Sequence, residues 1–259
     1  MKKNQSLKNI ILVVIFSTIH LLAFNYFKSI KIYLDQYTGI GILSYIITYI
    51  LMGLPIFLGT KIIVPRHSIF ESLGFKSNFL KAMLLAGIFA LPMFIGAAVL
   101  YPLRDNLDWE NLIAGTLIAG LMEELYFRGF MFGVLFKNSK LGFITSIFVS
   151  ALIFASKHIY QSDNLNQQFG IFIVIFMGSI FFAWLYVEWK YNLWVAIFLH
   201  TFMNLSWALF NVDDTALGSS TANIFRTLTI AIAILGTIYY KKKYQEKFEI
   251  NKFTLLIKK

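Results

Sequence analysis

Eight stretches of this chain are each apolar over about the 20 residues that a helix needs to cross the hydrocarbon core of a bilayer. They run over 9–27, 39–63, 81–101, 111–136, 142–160, 168–187, 192–210 and 222–240. In lipid every backbone N–H and C=O must be satisfied within its own segment, so spans of this length have to be helical. The expected fold class is all-α: a polytopic membrane protein, an eight-transmembrane-helix bundle. Composition agrees, with 14% charged residues where a soluble domain carries about 25%. Cysteine is absent, which excludes disulfides, thiolate metal ligands and a cysteine nucleophile.

The start, "MKKNQSLK" and then a long apolar run, has the order of a signal peptide. The run exceeds the usual 7–15 residues (roughly) of such a segment and lacks a small-x-small cleavage site, so it reads as an uncleaved first span. No repeat or long linker interrupts the chain, and one membrane domain over 1–259 is expected. The longest connection, 64–80, reads as an interfacial turn or a short amphipathic helix.

Cytoplasmic loops of membrane proteins are enriched in Lys and Arg. With the N-terminus inside, the inner segments hold 17 of the 23 basic residues: Lys2, Lys3, Lys8, Lys61, Arg66, Lys76, Lys81, Lys137, Lys140, Lys190 and seven lysines from 241 to 259. The outer segments hold Lys28, Lys31 and Arg104, together with the acidic Asp35, Asp105, Asp108, Glu110, Asp163, Asp213 and Asp214. Both termini are therefore expected to be cytoplasmic. The net charge of +10 then belongs to the positive-inside pattern, and the lysine-rich tail reads as a segment facing anionic membrane lipid. No nucleic-acid partner is expected.

One span is interrupted. "LMEELYFRGF" (121–130) puts Glu123, Glu124 and Arg128 at bilayer depth, where each charge costs on the order of 2.5–3.5 kcal/mol on insertion scales. Glu124 and Arg128 are spaced i,i+4 and can pair on one helical face. Glu123 projects about 100° away at α-helical geometry, leaving one carboxylate for another role. A clamp that only fixes helix packing would use the same pair. Of the four histidines, His67 reads as a surface residue and His20 as a helix-packing hydrogen bond. His158 and His200 lie in apolar spans, and His200 shares a face with Asn204, four residues on.

Together these residues permit activation of a water for attack on a substrate carbonyl. Glu123, His158 and His200 are a possible divalent-metal set, most naturally for Zn2+, with a fourth position left for water. The second carboxylate could serve as general base, and Asn204 could hydrogen-bond the developing oxyanion. A metal-free version, in which a Glu–His pair activates water directly, uses the same side chains and remains open.

The pattern resembles the CAAX-protease and bacteriocin-processing (CPBP, or Abi) family of intramembrane proteases. Its Glu-Glu-x-x-x-Arg motif is matched by Glu123, Glu124 and Arg128, its Phe-x-x-x-His by Phe154 and His158, and its His-x-x-x-Asn by His200 and Asn204. The likeness covers roughly 110–206, the expected catalytic core; Ala183 stands where the family often has Gly. The resemblance implies a membrane-embedded metalloendopeptidase acting on a membrane-associated peptide. Glu123 would be the activating carboxylate, His158 and His200 ligands or orienters, and Asn204 the oxyanion donor. Glu124 with Arg128 would be a supporting pair, and Phe154 would pack beside the site. The compact length, the absence of Cys and the Ile/Phe/Lys-rich composition look bacterial, so a bacterial plasma-membrane protein is expected. Two other readings use these residues: a non-catalytic family member that binds a peptide or partner in bacteriocin immunity or signalling, and a proton-relay transporter, which should show inverted halves that this sequence lacks.

Overall fold

A computed structural model describes residues 3–258; Lys2 and Lys259, counted above as cytoplasmic, lie outside the described residues. The apolar runs form α1 (Lys3–Phe24), α3 (Gly41–Ile63), α5 (Phe79–Leu100), α7 (Phe143–Ser156), α8 (Leu165–Glu188), α9 (Leu193–Leu209) and α10 (Ser220–Lys243). Between them lie α2 (Phe27–Thr38), the short α4 (Ile69–Leu73), and α6, which runs over 109–138. Among the described residues there is no strand, only two isolated bridges, Leu103 with Phe210 and Leu141 with Ile257.

Among the described residues, six helices are long and apolar enough to cross a membrane: α1, α3, α5, α7 with its following turn, α8 and α10. The other two expected spans are those that carry the charged motif and His200. α9 has 17 residues, about 25 Å at α-helical rise, which is shorter than the roughly 30 Å hydrocarbon core. α6 alternates α turns (Trp109–Ile113, Ala119–Glu123, Leu135–Asn138) with wider π turns (Ala114–Ile118, Glu124–Val134).

One connection departs from expectation and another meets it. The first span ends at Phe24, and residues 27–38 form a helix instead of an outer loop. Phe27, Ile30 and Leu34 line its half-buried side at helical spacing, and Lys31 bonds Asp35 at 2.7 Å. The 64–80 connection holds the one-turn α4, capped by Ser68 accepting from the Glu71 amide.

α6 is the central helix. Every residue from Glu124 to Val134 is buried, and α6 touches α1, α3, α4, α7, α8 and α9. Lipid tails are as apolar as leucine, so membrane helices associate by close packing, and small residues permit it. A Cβ at Gly53 of α3 would stand 2.6 Å from the Tyr126 hydroxyl, and one at Gly120 would stand 2.8 Å from Thr201 Oγ1 of α9. These two contacts bring α3 and α9 against the turns that bear the charged motif.

The lysine-rich tail does not project freely. Glu188, at the end of α8, is buried and accepts from Lys241 Nζ at 2.7 Å and from the Glu249 and Ile250 amides at 3.2 and 2.9 Å. The tail carbonyls of Leu256, Thr254 and Leu255 accept from the Gly142, Phe143 and Ile144 amides at 2.7, 2.8 and 2.9 Å, satisfying donors that a helix start leaves unpaired. Lys242, Lys243, Lys247 and Lys252 stay exposed. In Glu188→Ala, Lys241 becomes an unpaired buried charge, at a cost of about 3–5 kcal/mol. Limited proteolysis of the variant should cut 244–258 much faster than in the parent; equal protection would show that Glu188 does not hold the tail.

Candidate active site

The charged motif meets α9 inside the bundle. Glu124 and Arg128 are both fully buried, with Oε1 3.2 Å from Nη1. His200 Nδ1 lies 2.8 Å from the same Glu124 oxygen. A carboxylate only accepts, so Nδ1 carries the proton and Nε2 is left as the basic nitrogen. That nitrogen faces Glu123, with Oε2 at 3.9 Å. The gap is too long for a direct hydrogen bond and suits one bridging water.

Glu123 and Glu124 thus flank one imidazole from two sides, each facing a different ring nitrogen. A π turn begins at Glu124; such turns rotate less per residue than α turns and recur at functional sites. The two carboxylates differ in setting. Glu124 is sealed, whereas the Glu123 side chain is 23% exposed and lines a cavity. Phe182 of α8 stacks on His200 at 5.2 Å between centroids. The Arg128 guanidinium sits over the Phe154 ring at 4.4 Å, where cation–π attraction supplements the single carboxylate.

His158 is placed differently from expectation. α7 stops at Ser156, and His158 lies in the turn before the 3-10 turn Ile159–Gln161. Its Nδ1 bonds the Phe154 carbonyl at 2.7 Å, occupying the acceptor that its own amide would use in a continuing helix; the amide turns to Ala155 instead. Nδ1 must donate to a carbonyl, so Nε2 carries the free lone pair. His20 bonds the Met52 carbonyl at 2.8 Å and His67 is exposed beside Glu71, as expected for a packing and a surface residue.

Glu123, Arg128, Phe154, His158, His200 and Asn204 all line one cavity of about 1840 Å³. Ordinary small-molecule pockets have roughly 300–1,000 Å³, so this space suits a peptide segment. Its wall also includes Tyr45 and Tyr49 of α3, Phe182 and Trp207, which sequence reasoning did not single out. Aromatic residues in apolar helices carry no local signal of facing a site.

The fit to a metal is poor. Among the described residues no three His, Asp or Glu side chains converge closely enough to hold an ion. Glu123 and His200 approach each other, and His158, held back by the Phe154 carbonyl, does not complete the set.

Comparison with curated proteins and with solved structures gives no match. A comparison with protein-family models does: residues 105–206 match the family described as type II CAAX prenyl endopeptidase Rce1-like. All seven motif residues lie in that matched segment, so the chain is similar there to the CAAX prenyl endopeptidase family.

Proposed function

We propose that this protein is an intramembrane endopeptidase that hydrolyses a peptide bond in a membrane-associated peptide, with water activated by Glu123 and His200. The observation that carries the reading is the pair itself: a cavity-facing carboxylate 3.9 Å from the basic nitrogen of an imidazole whose other nitrogen is held by a sealed carboxylate. A water touching both groups loses a proton to Glu123 as its oxygen attacks the peptide carbonyl. Asn204, one helical turn from His200 in the same cavity wall, donates to the developing oxyanion. The C–N bond then breaks and Glu123 returns the proton to the leaving amine. Glu124 fixes the His200 tautomer, and Arg128 balances its charge.

The apolar spans and the charge pattern support a chain that crosses a membrane eight times, with α6 and α9 as the two inner crossings and both termini cytoplasmic. The Cys-free, Ile/Phe/Lys-rich composition is what suggests a bacterial plasma membrane. Its partners in this reading are lipid and a membrane-associated peptide, without nucleic acid. Purified protein in liposomes, given an anchored reporter peptide, should cleave it, and His200→Ala should not. Retained cleavage in His200→Ala, or a wild-type phenotype that persists in Glu123→Gln cells, would favour the non-catalytic binding reading.

A Zn2+-dependent version would require His158 to leave the Phe154 carbonyl and join Glu123 and His200. The Glu123–His200 mechanism predicts that a chelator leaves cleavage unchanged and that His158→Ala reduces it only in part. A stoichiometric metal in the purified protein, lost together with activity in His158→Ala, would restore the metal reading.

A further inference from the structure

The two ends of the bundle differ in charge, and the cavity opens at only one of them. One end is tied together by Asn9 bonding Asn138, Ser6 bonding Lys140, Leu193 bonding Gly74, and Lys81 bonding Tyr240. This end gathers 15 basic residues: Lys3, Lys8, Lys61, Arg66, Lys76, Lys81, Lys137, Lys140, Lys190, Lys241, Lys242, Lys243, Lys247, Lys252 and Lys258. The opposite end is tied by Arg104 bonding Leu209, Asn211 bonding Pro102, Lys157 bonding Asn25 and Ala216 bonding Gln161. It holds five basic residues (Lys28, Lys31, Arg104, Lys157 and Arg226) beside seven acidic ones.

The cavity mouth belongs to this second end. Arg104, Asp105, Asp108, Asp213, Asp214 and Arg226 line it. The wall is also open sideways. α8 and α10 meet at the lysine-rich end through Trp189 Nε1 donating to Thr237 at 3.0 Å and through Glu188 with Lys241. Nearer the mouth, Ile173 and Met177 of α8 and Thr227 of α10 line the cavity and are at the same time exposed. Both helices are long and apolar enough to cross a membrane, so this opening lies on the flank of the bundle, on the side of the mouth.

Lys and Arg mark the cytoplasmic side of membrane proteins. We infer that the cavity opens to the extracytoplasmic face, and that its substrates are peptides whose cleavable segment stands at the outer membrane surface, with an apolar anchor entering from the outer leaflet between α8 and α10. The substrate class rests on the peptidase reading above; the direction of opening does not. A segment presented from the cytoplasm would meet the closed, tail-covered end of the bundle.

The absence of cysteine makes the direction measurable. Asp163→Cys, exposed beside the mouth, and His67→Cys, exposed at the opposite end, are made singly in the full chain. In intact cells a membrane-impermeant maleimide should label Asp163→Cys and should reach His67→Cys only after permeabilisation. The reverse pattern overturns the inference. A second arm uses two single-span reporters carrying the same cleavable segment, one at the outer surface and one at the inner. The wild type should cleave the outer reporter alone, and Glu123→Ala neither. Cleavage of the inner reporter alone overturns the substrate class. A wild type that labels as expected but cleaves neither leaves the direction standing and overturns the substrate class together with the peptidase reading.

Discussion

Glu123→Gln is expected to lower the turnover of an anchored reporter peptide by about 10²–10⁴-fold, the range that a positioned general base contributes. The amide keeps the size and hydrogen-bonding reach of the carboxylate but cannot take a proton from water. The loss should fall on kcat, with KM nearly unchanged, because the cavity wall that would hold the peptide is untouched. Glu123 is the partly exposed member of the pair and makes no ion pair with Arg128, so the variant should unfold at the same temperature as the parent. A small activity loss would move the base elsewhere, and a large stability loss would make Glu123 a packing residue.

Glu124→Ala should behave in the opposite way. Removing one partner of a fully buried ion pair typically costs about 3–5 kcal/mol, because the survivor is left charged and uncompensated. Arg128 is fully buried and its only acidic partner within ion-pair distance among the described residues is Glu124. The purified variant should therefore unfold well below the parent temperature. The double variant Glu124→Leu with Arg128→Met should recover much of that loss, since replacing a buried pair by apolar residues is often neutral. It should not recover cleavage, because His200 Nδ1 has lost the acceptor that sets its tautomer. A double variant that cleaves normally would show that the pair serves packing alone.

Much of this architecture is legible in the sequence. The helical class follows from apolar length, and the Glu124–Arg128 pair follows from i,i+4 spacing. The bonds made by His20 and the exposure of His67 also match their sequence readings. Other features depend on contacts that no local pattern carries. Residues 27–38 fold as a helix because a half-buried apolar side packs on α3. The lysine-rich tail docks because Glu188 and the start of α7 each need partners within reach. His158 leaves its helix because its own ring takes the Phe154 carbonyl.

The sequence alone determined that the chain is helical, because a backbone in lipid has to satisfy itself locally, and it supplied the three motifs that meet in one cavity. Which of the two adjacent glutamates faces that cavity was decided only by tertiary structure. The rotation of α6 about its axis is set by its close approaches at Gly53 and Gly120 and by the π turn that starts at Glu124. Those contacts seal Glu124 against Arg128 and leave Glu123 beside the free nitrogen of His200, because side-chain direction on a buried helix is fixed by what packs against it across the bundle.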